Sequence, residues 1–139
     1  MRAFAQGDGE VCVTAVEMGA TCVVRFRVHR GEAERRRIRW PRFERADYFT
    51  DPRFAAPQRF VATMGMPVDE QGVNQGENLN VACRNALLTM MDLLQERKYS
   101  REQAYVICSV AVDLRISNVV DVPNYVVSAL LPEAIFGGA

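Results

Sequence analysis

Histidine is nearly absent from this chain, with only His29 among 139 residues. A single imidazole leaves no pair of histidines to share a metal. No two cysteines stand in a Cys-x-x-Cys spacing, and none of Cys12, Cys22, Cys83 and Cys108 has a histidine beside it. That disfavours a structural zinc site. Three of the four lie in apolar patterns, as reduced core cysteines do. No apolar run approaches the roughly 18 residues that cross a bilayer. The start, Met1-Arg2-Ala3-Phe4, lacks the apolar stretch of a secretory signal. From these features a cytoplasmic protein away from membranes is expected. Net charge is absent too, since 17 basic residues balance 17 acidic ones. The whole chain therefore has no electrostatic bias toward nucleic acid or anionic lipid.

What is present is a chain of single-domain length, 1–139, with 49% hydrophobic residues, enough for a sizeable core. It opens on Gly7-Asp8-Gly9-Glu10, two carboxylates separated by a glycine and preceded by another. Glycine here favours a tight turn, which would hold Asp8 and Glu10 close in a fixed geometry. Such a turn can seat acid–base chemistry or a cation. Spacing alone favours an ordinary solvated loop.

Residues 10–17 and 21–30 read as two strands joined by Met18-Gly19-Ala20, an antiparallel hairpin beginning at the acidic turn. In the second, Cys22, Val24, Phe26 and Val28 share one face and Arg25, Arg27 and His29 the other. His29, on that polar face, reads as a surface residue. Cys12 and Cys22 could face each other across this hairpin. Between Arg25 and Arg53 ten arginines stand against five acids. Trp40 and Phe43 lie among these arginines, a mixture that can grip phosphates and stack on bases. Glu32, Glu34 and Glu44 dilute the field, so a solvated connection or a segment docked on another subunit is the favoured reading, and nucleic acid is not an expected partner.

Residues 59–66 read as a short strand, followed by a polar loop, 67–76, long enough for a lid. From Asn78 the apolar positions Leu79, Ala82, Cys83, Ala86, Leu87, Met90, Met91 and Leu94 recur at helical spacing. Ser100-Arg101-Glu102-Gln103 is a capping box for a second helix. That helix is unusually apolar around Tyr105, Val106 and Val110, which predicts burial on more than one side and a candidate interface. Residues 116–122 and 125–131 are β-prone. The fold class is α+β, or α/β: an antiparallel hairpin and further strands in a sheet covered on one face by two consecutive helices.

In order along the chain, Ala5-Gln-Gly-Asp-Gly-Glu-Val-Cys, Ser100-Arg-Glu-Gln-Ala-Tyr, the long stretch from Cys108 to Asn124 and Val127-Ser-Ala-Leu-Leu-Pro resemble the C-terminal part of the acetamidase/formamidase family. The resemblance implies hydrolysis of short aliphatic amides, formamide or acetamide, to carboxylate and ammonia. It implies Asp8 and Glu10 as the catalytic pair, with Asp8 binding or orienting a divalent metal, zinc or calcium. Glu10 would be the base that activates water and later protonates the nitrogen. Family chains carry a histidine about where Ala3 stands here, and they are more than twice this length. The expected associations are therefore a small amide substrate and either a homo-oligomer or a missing N-terminal half. The alternative is a non-catalytic family-derived domain acting in oligomer assembly. A cysteine nucleophile has little support, because Cys83 and Cys108 lie on apolar helix faces.

Overall fold

The computed structural model describes the backbone of residues 2–5 and, with side chains, residues 12, 16–42, 59–119 and 125–137. The chain divides into two compact units, Met1–Gly19 with Pro57–Ala139, and Ala20–Ala56.

In the first unit, β1 (Arg2–Ala5) pairs antiparallel with β2 (Val16–Met18), in the register Arg2 to Met18, Ala3 to Glu17 and Ala5 to Val16. A three-stranded antiparallel sheet is separate from this ribbon. Its order is β3 (Phe60–Gly65), β5 (Val126–Pro132), β4 (Asp113–Asn118), so the last strand in sequence is the middle one in space. Between β3 and β4 the chain runs through α2 (Leu79–Glu96) and α3 (Arg101–Ala111). A 3-10 turn, Glu133–Phe136, closes the unit. The mixed α+β class expected from the sequence is the one observed.

The sheet alternates as a half-buried sheet must. Thr63, Gly65, Val127, Ala129 and Leu131 are buried, while Phe60 and Met64 on the opposite face of β3 are exposed. The buried face meets Ala82, Ala86, Leu87, Met90, Met91 and Leu94, which form one stripe of α2. On its other side the core takes Ala104, Cys108 and Val112, from α3 and the residue after it. Full burial of a side chain such as Leu94, Met90 or Leu131 is worth roughly 1.5–3 kcal/mol. Exposed pairs such as Arg101 with Asp92, at 3.0 Å, contribute at most about 1 kcal/mol. The apolar stripe therefore sets the helix–sheet packing.

Local signals set the helix ends. Asn78 Oδ1 accepts from Val81 N–H at 3.2 Å and starts α2. At its far end Tyr99 N–H donates to Leu94 C=O and Lys98 N–H to Gln95 C=O, with Lys98 left-handed at φ 75°. That is a Schellman closure in which lysine occupies the position glycine usually takes. The Ser100 capping box is complete, with Gln103 N–H donating to Ser100 Oγ and Ser100 N–H to Gln103 Oε1. The excess apolar residues of α3 do not all turn inward. Tyr105 and Val106 are exposed within this chain.

The loop after β3 is built as a turn. Asp69 Oδ1 accepts from the backbone N–H groups of Gln71 and Val73, and Val68 bridges to Asn74. Asn85 Nδ2 donates to the carbonyls of Met66 and Val68 and so fastens the loop onto α2.

In the second unit the expected strand over residues 21–30 is not formed. Residues 21–29 have no strand structure, and Val24, Phe26 and Val28 are exposed. The strand that pairs with β2 comes from the N-terminal side, as β1. The alternation of residues 21–30 meets the local requirement of a strand, but a strand also needs a neighbour for its N–H and C=O groups. Cys22 is accordingly exposed, and the hairpin that would have set it against Cys12 is not formed. Beyond it lies α1 (Glu32–Arg35), a single turn entered through left-handed Gly31.

Two predictions follow from the packing. A Cβ at Gly65 would lie 2.1 Å from Ala82 O and 2.3 Å from Ala86 N, both backbone atoms. Gly65→Ala is expected to destabilise by about 3 kcal/mol or more, seen as a lower urea midpoint, since neither backbone atom can yield without moving α2. Near the C-terminus Arg97 pairs with Glu133 through two hydrogen bonds, at 2.7 and 3.1 Å. The Arg97 side chain's hydrogen bond holds the Glu133 carboxyl below its usual value of 4.5. The pair's contribution is full above pH 4.5 and is lost as pH falls through the lower, folded-state value. Urea titrations should therefore show wild type ahead of Glu133→Gln at pH 7, with the gap closing in more acidic buffer.

Candidate functional site

The expected catalytic pair, Asp8 and Glu10, lies outside the described residues. What is described is the frame on either side. Residues 6–15 connect β1 to β2, whose antiparallel pairing brings the two ends of this stretch together. The ladder is irregular between Ala3 and Ala5, where one residue slips out of register. Ala3, at the position where the family resemblance implies histidine, stands opposite Glu17. Its methyl offers no donor to a metal and no titratable proton.

A second tie comes from Cys12, two residues beyond Glu10. Burial pushes the Cys108 thiol up to about 11, and the charge of Cys12 adds to the rise. Cys12 is thus within electrostatic reach of the C-terminal turn of α3. The acidic stretch is thus followed two residues on by a thiol whose charge is felt at Cys108, a proximity that only the tertiary structure reveals.

The remaining chemistry of the described residues is structural. Cys108 is fully buried and stays protonated at neutral pH, the wrong state for a nucleophile. Burial also raises Cys83. His29 Nδ1 lies 3.2 Å from Glu32, whose carboxylate also accepts from Arg36 at 2.8 Å. Chiefly through that Arg36 hydrogen bond, Glu32 is held below the ordinary glutamate range. Among the described residues no three His, Cys, Asp or Glu side chains gather as a metal site.

An open cleft of about 360 Å³ lies along α3, lined by Tyr99, Glu102, Gln103, Val106 and Ile107. Its one carboxylate is occupied in the helix cap. Glu102 accepts from its own backbone N–H and from Ser100 Oγ, at 2.8 Å, which keeps it ionised below the usual range. Gln103 is likewise committed to the cap. The cleft has largely apolar walls, and beside the capped Glu102 its titratable lining group is the Tyr99 phenol.

The ordered motifs, the paired strands that flank the acidic stretch and the α+β class all point to one family. The chain belongs to the acetamidase/formamidase family, whose model matches residues 2–138. It is 30% identical over 135 residues to a formamidase of Methylophilus methylotrophus, a match covering 96% of this chain and 32% of that protein. Among solved structures it resembles a gamma lactamase from Delftia acidovorans, with 36% identity and a TM-score of 0.56. That likeness covers 59% of this chain and 20% of the other. The chain therefore spans about a third of the length of the curated relative it matches. No helix among the described residues is long and apolar enough to cross a membrane.

The thiols give a direct check on the site's cysteine chemistry. Iodoacetamide at pH 8 should label exposed Cys22 within minutes and leave Cys108 unmodified until urea unfolds the chain. Peptide mass spectrometry reads both.

Proposed function

We propose that this chain is the acidic-motif-bearing part of an amidase-type hydrolase that cleaves short aliphatic amides, formamide or acetamide, to carboxylate and ammonia. The observation that carries the reading is the family match across residues 2–138, which includes Gly7-Asp8-Gly9-Glu10. The formamidase and gamma lactamase relatives support carbon–nitrogen bond hydrolysis in general. The particular amide is our proposal.

Amide hydrolysis needs a base for the attacking water, stabilisation of the developing oxyanion and a proton for the departing nitrogen. Glu10 is assigned the proton work: it takes a proton from water as the oxygen attacks the carbonyl carbon, then delivers it to nitrogen as the C–N bond breaks. Asp8 is assigned to hold or orient a divalent cation, zinc or calcium. When bound, that ion would polarise the amide carbonyl as a Lewis acid. With Ala3 providing no nitrogen ligand, the side-chain donors within Gly7-Asp8-Gly9-Glu10 are carboxylate oxygens. That chemistry suits calcium better than zinc, which more often takes nitrogen or sulfur. The turn's glycines would keep the two carboxylates close, so a cation at Asp8 would also keep Glu10 ionised and ready to accept a proton. The hydrolase is placed in the cytoplasm, where its cysteines stay reduced.

One observation favours a second reading. Alanine at position 3, in the strand that frames the motif, removes a group the family resemblance assigns to that place. A chain lacking it fits a family-derived domain that works in oligomer assembly without turnover. Ammonia release from formamide and acetamide, measured with and without added zinc or calcium, separates the two. In the hydrolase reading Glu10→Gln lowers turnover by about 10²–10⁴-fold. Turnover unchanged by that substitution would remove Glu10 from the mechanism. A chain that releases no ammonia with either metal, even when joined to the rest of a family polypeptide, supports the assembly reading.

A further inference from the structure

Residues 20–28 form an exposed segment with the side-chain pattern of a strand and none of its bonds. Among the described residues, no backbone N–H or C=O of residues 20–28 takes part in a hydrogen bond. Val24, Phe26 and Val28, on one face of the alternation, are 58%, 86% and 86% exposed, and Val23 is 95% exposed. The segment is anchored at its end, where His29 C=O accepts from Glu32 N–H and His29 Nδ1 meets Glu32. Exposed apolar side chains of this size forgo a stabilisation of roughly 1.5–3 kcal/mol each. The opposite face carries Arg25, Arg27 and His29.

We infer that residues 21–29 are an interaction strand. It adds by β-pairing to the edge of a sheet in a partner polypeptide whose edge strand is apolar on one face and acidic on the other. Charge selects this partner over a second copy of the chain. The antiparallel register that pairs all four apolar side chains sets Cys22 against Val28 and Val24 against Phe26. It also sets Arg25 against Arg25 of the other copy. An in-register parallel pair stacks both Arg25 and Arg27 on themselves, and like charges placed directly opposite are destabilising. The surroundings deepen the bias, since residues 25–42 hold eight arginines and two glutamates. Carboxylates across from Arg25 and Arg27 would turn that repulsion into attraction and fix the register.

The partner is assigned to the part of an acetamidase/formamidase polypeptide that lies beyond the matched third of the formamidase relative. This assignment rests on the family membership and adds to the proposed function the element through which this chain joins the rest of the enzyme. Residues 20–30 lie within the family match, so the interaction strand is part of the shared sequence region.

The test is co-expression of the 139-residue chain with the unmatched portion of the Methylophilus formamidase, followed by hydrogen-exchange mass spectrometry. The amides of residues 22–28 should exchange at unfolded rates in the chain alone and at least about 100-fold more slowly in the complex. The double variant R25E/R27E should weaken the complex by about tenfold or more. Phe26→Pro, which removes a ladder donor, should abolish the protection. Failure of the two polypeptides to associate overturns the inference. So does association that leaves these amides fast, or affinity unchanged by the charge reversal. Protection that rises with the concentration of the chain alone overturns it in favour of self-pairing. Ammonia release is scored separately: a protected complex without turnover refutes the hydrolase and leaves the interaction strand standing.

Discussion

The near contact between the backbones of β3 and α2 governs the larger unit of this protein. Gly65 lets the strand approach until a side chain of any size would strike Ala82 O and Ala86 N. Ala82 and Ala86 answer from the helix with the smallest chiral side chains available. Close approach lets Thr63 Oγ1 donate to Ala86 C=O at 2.8 Å across a buried interface, so a polar group in the core is paired. One turn from this contact Asn85 binds two carbonyls of the loop leaving β3. With β3 fixed on α2, the register of β5 follows along the full length of β3, and β4 follows from β5. The order β3-β5-β4 places the last strand between the two that flank the helices.

The second constraint is charge and solvation at the thiols and carboxylates. Burial makes Cys108 unreactive, and the helix cap holds Glu102 as a structural anion. Core burial thus accounts for the unreactive Cys108 thiol, whereas the exposed Glu102 carboxylate is engaged by hydrogen bonds at the start of α3. The acidic stretch differs, because it is framed by paired strands and leads to Cys12 near α3. Family membership gives that stretch its functional weight. A turn of two carboxylates would otherwise be an ordinary surface feature.

The arginine-rich unit shows what a local pattern cannot supply. Its alternating residues have the intrinsic preference of a strand, yet the free energy of a strand lies in cross-strand pairs and in burial. With neither provided among the described residues, apolar and basic side chains alike face outward. The apolar surface around Tyr105 and Val106 on α3 has the same origin: its sequence is richer in apolar residues than this chain alone can cover.

Much of the fold was legible because its signals are local. Asn78 and Ser100 start their helices through side-chain bonds to residues three positions away, and the stripe from Ala82 to Leu94 repeats at the helical period. The hairpin was misassigned. Glycine at position 19 suggested a turn between residues 10–17 and 21–30, whereas β2 took its partner from Arg2–Ala5, a run of four residues with little alternation to reveal it. The site was legible only as a motif, since the spacing of Asp8 and Glu10 says nothing of what faces them. By itself the sequence determined helix boundaries, core stripe and family, all of which depend on neighbours within a few turns or on ordered motifs. Tertiary structure alone decided which strands pair, that Cys12 comes within electrostatic reach of Cys108, and that residues 21–28 take no strand partner among the described residues. Each of these depends on groups far apart in the chain meeting in space.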